Sequence, residues 1–144
     1  ATFMFIFENN TCHYQTNHVM YKSSQKKERI IMIEEIQKNI PELISTIKAD
    51  YAAWLTRGEA DVSEHRLEMI AEFNEGMTYS VGRKYIKIHS NRSIWGFIQI
   101  ADDAKFRAGD ILKAASWAIP ARNKPRGNVI DGGYKIQWTG PNYL

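Results

Sequence analysis

The residues best suited to chemistry in this sequence are its cations, and they are unevenly spread. Residues 78–128 hold ten Lys or Arg against three Asp or Glu, a net of +7, whereas residues 1–77 hold eight cations against twelve anions, a net of −4. Arg122, Lys124 and Arg126 stand on alternate positions, and no acidic residue occurs between Ile111 and Ile130. Guanidinium groups grip phosphate oxygens in bidentate fashion, so such a loop suits a phosphate. The competing reading is a solvated loop, or one whose arginines pair with the acidic half of the same chain.

Aromatics are interleaved with these cations. Alternation places Tyr85, Lys87 and His89 on one side of a strand, and Trp95, Phe97 and Gln99 on one side of the next, with Ile86, Ile88, Ile94, Ile98 and Ile100 opposite. One face is then aliphatic. The other has the composition of sheets that stack unpaired bases while Lys and Arg neutralise phosphate. The alternative is that the aromatics fill a second small core beneath the loop of residues 118–133, or that the sheet curls into a barrel.

Other chemistries find less support. Cys12, His13 and His18 cluster in sequence, but zinc sites recur with four ligands at set spacings and the chain has one cysteine. No metal or cofactor is expected. Cys12 and Ser116 lie in no nucleophile elbow, and there is no phosphate-cradling glycine loop or dinucleotide fingerprint. Asp102 and Asp103 suit a turn better than a cation site, because adjacent strand residues point oppositely. An enzyme acting on nucleotides or RNA would need Asp110, Asp131 or His89 beside the basic loop.

These residues must be positioned by ordinary globular elements. Hydrophobic residues at 44% and charged residues at 24% fit a soluble folded domain and argue against disorder. A single cysteine excludes an internal disulfide, as in a reducing cytosol. The apolar run Thr2–Phe7 is far shorter than the roughly 20 residues of a membrane span and reads as a strand. No basic segment precedes it as in a signal peptide, and the opening alanine fits removal of an initiator methionine.

From Gln25, Ile30, Ile33, Ile36 and Ile40 repeat at helical steps. Asn39 and Pro41 then predict a break and a new helix, carrying Leu43, Ile44, Ile47, Tyr51, Trp54 and Leu55 to a stop at Gly58. Asp61 as N-cap and Gly76 as terminus bound a third helix. Strands follow at Tyr85–Ser90, Ser93–Ile100, Asp110–Trp117 and Tyr134–Trp138, the first two forming a hairpin.

The string Gly109-Asp110-Ile111-Leu112-Lys113-Ala114-Ala115-Ser116-Trp117, with Pro120-Ala121-Arg122 and Arg126-Gly127-Asn128, resembles a family of small uncharacterised proteins from tailed bacteriophages. Gly82-Arg83-Lys84-Tyr85 and Trp138-Thr139-Gly140 fit the same pattern, so the likeness spans roughly residues 73–140. It implies a virus-encoded protein of the host bacterial cytoplasm and brings no catalytic residue.

The expectation is one α+β domain over residues 1–144, with N-terminal helices packed on a mostly antiparallel four- to five-stranded sheet. Its expected role is a non-enzymatic nucleic-acid-binding module, using Lys84, Lys87, Arg92, Trp95, Lys113, Trp117, Arg122, Lys124 and Arg126. The alternatives are a module that binds a host protein, and the nucleotide- or RNA-directed enzyme. No membrane partner is expected.

Overall fold

The structure is a computed structural model that describes the backbone of residues 2–142 and the side chains of Met20 and of residues 22–142. A single helix, α1 (Thr2–Thr56), covers the ground expected for a strand and two helices. The run Thr2–Phe7 belongs to its backbone, a correction that a short apolar run invites, since periodicity alone does not separate strand from helix. The side chains of Cys12, His13 and His18 lie outside the described residues.

Pro41 sits inside α1 without ending it. Ile36, Ile40, Leu43 and Ile47 are fully buried at helical spacing on both sides of the proline. Burial of each contributes about 1.5–3 kcal/mol, against a cost of about 3 kcal/mol for an interior proline, so the stripe outweighs the break. Asn39, expected with Pro41 to mark a break, instead turns its Nδ2 back to the Glu35 carbonyl at 2.9 Å within the continuous helix.

The helix stops as its residues predict. Thr56 is the last helical residue, and Arg57 and Gly58 take left-handed φ angles of 50° and 73°. The next helix, α2 (Glu64–Gly76), is capped by Ser63, whose side chain accepts from the Arg66 amide, and not by Asp61.

Four strands form an antiparallel meander in chain order: β1 (Met77–Val81), β2 (Tyr85–Ser90), β3 (Ser93–Gln99) and β4 (Ile111–Lys113). The predicted hairpin is β2–β3, while β4 is the opening part of the longer strand expected at Asp110–Trp117. The expected strand at Tyr134–Trp138 shrinks to β5 (Ile136–Gln137), paired with β6 (Gly140–Pro141). The whole is α+β, a long and a short helix on a four-stranded sheet.

The sheet has two packed faces. Ile86, Ile88, Ile98, Ile100 and Ile111 join the α1 stripe in the main core. On the outer face Phe97, Phe106 and Leu112 make a second cluster, flanked by Tyr85, Ile94 and Ala114. The second small core weighed from the sequence is thus present.

A β-bulge decides which aromatics lie where. Ile88 pairs with Gly96 but His89 pairs with Ile94, leaving Trp95 as the extra residue. Alternation is therefore interrupted. Trp95 turns into the main core at 3% exposure, and Ile94 turns outward beside Phe97, the reverse of the expected sorting. Gly96 permits close packing there, since a Cβ on it would lie 2.9 Å from the Leu112 carbonyl and 3.0 Å from Pro141.

Candidate functional site

The outer face of the sheet carries an open cleft of about 330 Å³ between the β1–β2 turn and the loop after β4. Ser80, Arg83, Tyr85, Lys87, Phe97 and Ala118 line it, and no lining residue is acidic. Cross-strand register puts Ser80 directly opposite Lys87, and Lys87 opposite Phe97. The Lys87 ammonium lies 5.8 Å from the centre of the Trp117 ring and 5.9 Å from that of Phe97, within cation–π range of both. Trp117 is 58% exposed and meets the His89 ring edge-on at 6.2 Å. Ser80 Oγ and His89 Nε2 share a hydrogen bond of 2.8 Å.

Of the cations and tryptophans singled out in the sequence, Lys87 and Trp117 come together here, and exposed Lys84 stands at the adjoining turn. Among the described residues, no carboxylate is within salt-bridge distance of Lys84, Lys87 or Arg83. Lys124 is exposed on the loop beyond Arg122. Arg92 occupies the β2–β3 turn, at the other end of β2 from Lys84, about 20 Å away at the rise of a strand. It borders a separate cleft with Glu72 and Glu75.

Four of the singled-out residues are taken up by the fold. Trp95 donates its indole N–H to the Gln137 carbonyl at 2.9 Å from within the core, where its ring is packed away from the surface. Arg122 donates to the Tyr85 hydroxyl at 2.6 Å, pairs with Asp103 at 2.5 Å, and lies 4.6 Å from the centre of the Phe106 ring. Arg126 donates to the carbonyls of Asn142 and Lys124 and to Asn123 Oδ1. Both guanidinium groups thus fasten the basic loop instead of projecting from it. Lys113 pairs with Gly96, on the helix side of the sheet, and reaches the Pro141 carbonyl at 3.4 Å.

The acidic residues nearby are also structural. Asp103 Oδ1 accepts from the Phe106 and Lys105 amides, which with the Arg122 guanidinium hold its carboxyl well below the usual carboxylate range despite the opposing effect of burial. Asp102 accepts from the Ala108 amide, so this pair serves a turn as its sequence suggested. Asp110 is 6% exposed, with its oxygens engaged by Asn128 and the Arg107 amide, and Asp131 pairs with Arg107 at 3.2 Å. Of the three groups considered for acid–base work, His89 is the one beside the cleft. No group of three or more His, Cys, Asp or Glu among the described residues is placed to hold a metal.

Sequence reasoning missed Ser80 and the position of Arg83. Ser80 lies on β1, whose run Met77-Thr78-Tyr79-Ser80-Val81 alternates apolar and polar residues, a period of two that could have marked the strand. The signal for Arg83 was its place beside Gly82, where a turn between strands offers a side chain outward.

No helix among the described residues is long and apolar enough to cross a membrane. No curated protein matches this chain, and no solved structure does. One family model matches residues 17–141, and the chain accordingly belongs to that family, DUF7717, a family of unknown function.

Proposed function

We propose that the outer face of the sheet binds single-stranded nucleic acid without catalysis. The observation that carries this reading is the Lys87 ammonium beside the exposed Trp117 ring in a cleft lined by no carboxylate. A cation and a π face side by side are what a phosphate-linked chain of bases requires. Lys84, Lys87, Arg83 and Trp117 form the contact, while Arg122 and Arg126 brace the loop that presents Trp117. The likeness to tailed-phage proteins adds a setting, the cytoplasm of an infected bacterium.

Fluorescence titration with a single-stranded oligonucleotide at increasing salt tests it. Each neutralised phosphate steepens the fall of log K with log salt by about 0.7, so three cations give a slope of roughly −2. A flat response removes the proposal.

A second reading, docking to a host protein, draws on Trp54 and Leu67, which are 53% and 55% exposed on the α1–α2 pair. It predicts a partner retained by the pure protein after nuclease treatment.

A further inference from the structure

We infer that the cleft beside Ser80 is a subsite for one nucleotide unit, with the phosphate between Arg83 and Lys87 and the base laid on Trp117. This rests on the nucleic-acid reading of the outer face and names the unit of ligand that the face grips. Size is the first argument. At about 330 Å³ the cleft lies at the lower end of the roughly 300–1,000 Å³ range of small-molecule sites, room for one monomer.

Both walls are held in place before any ligand arrives. On one side the β1–β2 turn is closed by the Gly82 amide donating to the Tyr85 carbonyl at 2.9 Å. Arg29 of α1 donates to the Gly82 carbonyl at 3.3 Å, tying that turn to the long helix. A Cβ at residue 82 would lie 2.9 Å from the Tyr85 carbonyl, so glycine keeps the turn tight and Arg83 follows it directly into the cleft. On the other side, the amides of Ala115 and Ser116 both donate to the Ile119 carbonyl at 3.0 Å, closing the loop that offers Trp117 and Ala118. A site built on fixed walls loses little freedom on binding.

The polar groups in reach fit the same ligand. The Tyr85 hydroxyl accepts from Arg122 and keeps its own O–H to donate, which with two cations and the Ser80 hydroxyl makes up the polar lining of the cleft. A hydroxyl carries one donor and two acceptor sites, so its bond with His89 leaves capacity for a phosphate oxygen or a sugar hydroxyl. Trp117, next in chain to the lining residue Ala118 and 5.8 Å from the Lys87 ammonium, gives the base a ring to stack on, which bare phosphate and acidic side chains would not use.

The test uses the whole protein and a fluorescein-labelled oligothymidylate, with thymidine 5′-monophosphate, thymidine, inorganic phosphate and polyglutamate as competitors. Monophosphate is expected to displace the oligonucleotide and quench tryptophan emission, with thymidine and phosphate each at least about tenfold weaker. Arg83→Ala and Trp117→Ala, both at exposed positions, are expected to weaken monophosphate about tenfold each while the circular dichroism spectrum stays unchanged. If the oligonucleotide binds but monophosphate does not compete, or if either variant binds monophosphate as the parent does, the subsite is wrong and the wider reading stands. Equal competition by phosphate or polyglutamate likewise overturns the nucleotide assignment. If neither oligonucleotide nor monophosphate binds, the nucleic-acid reading falls and the subsite with it.

Discussion

Asp110 Oδ1 accepts a hydrogen bond from Asn128 Nδ2 at 3.0 Å across 18 residues of chain, and both side chains are 6% exposed. The same Asn128 amide donates to the Ala108 carbonyl, and its oxygen accepts from the amides of Ile130 and Asp131. Gly109, at φ 90°, lets the chain pass close by, since a Cβ there would lie 2.9 Å from Asn128 Oδ1. The Gly-Asp and Arg-Gly-Asn strings that stood out in the sequence are therefore the two halves of one closure. They clamp the basic loop to β4, and their chemistry is spent inside the protein.

Asn128→Ala breaks this closure without removing any exposed cation. It leaves an Asp110 carboxylate oxygen and two main-chain amides short of a partner in a buried place, a loss of about 2–4 kcal/mol. Urea denaturation is expected to show that drop as a lower midpoint. Oligonucleotide affinity of the folded variant should stay near that of the parent, because Arg83, Lys87 and Trp117 are untouched.

Asp103 makes stability depend on acid. Its folded carboxyl sits below the ordinary value because the Phe106 and Lys105 amides and Arg122 favour the charged form. The unfolded chain then binds a proton more readily than the folded one. The stabilisation is present above about pH 4 and drains away as pH falls from the unfolded value toward the folded one. Asp103→Ala is expected to be less stable than the parent at pH 7, with the gap narrowing between pH 5 and pH 2. An equal gap at pH 7 and pH 3 in thermal melts would contradict this.

Much of the fold was legible because its signals are local. Tyr85–Ser90 and Ser93–Gln99 appear at nearly their expected bounds, and Ile36, Ile40, Leu43 and Ile47 are the core stripe their spacing implied. The misreadings are places where distant contacts decide. Arg122 meets Tyr85 across 37 residues and Arg126 meets Asn142 across 16, so partners for a loop rich in cations could not be seen in its own composition. The bulge at Trp95 breaks alternation inside a strand whose residue types look regular. β1 carries a period of two in Met77-Thr78-Tyr79-Ser80-Val81, but the run is only five residues long and follows α2 directly, so it does not stand out; at the sheet edge four of its five residues are exposed.

Pro41 offers a gain in stability. It is exposed within α1, has no amide hydrogen to donate to the Gln37 carbonyl, and is held helical by the buried residues on either side. Pro41→Ala restores one main-chain hydrogen bond and removes a ring clash, so unfolding should become harder by about 1–3 kcal/mol. A denaturation midpoint at or below the parent's would mean that the proline shapes the helix in a way its neighbours need.

The tryptophans separate the core from the outer face. Trp117 and Trp54 are 58% and 53% exposed, whereas Trp95 is 3% exposed and hydrogen-bonded to Gln137. Iodide should therefore quench the first two and spare Trp95. Trp117→Phe is expected to abolish most of the emission change on adding oligonucleotide while leaving the melting curve nearly unmoved, since the ring packs against few buried atoms. Trp95→Phe should do the opposite, keeping the emission change and lowering stability by about 1–3 kcal/mol through a lost indole hydrogen bond and a partly emptied space. Two variants of one residue type thus report on the two faces of the sheet independently, and an emission change that survived Trp117→Phe but vanished with Trp95→Phe would place the ligand on the helix side.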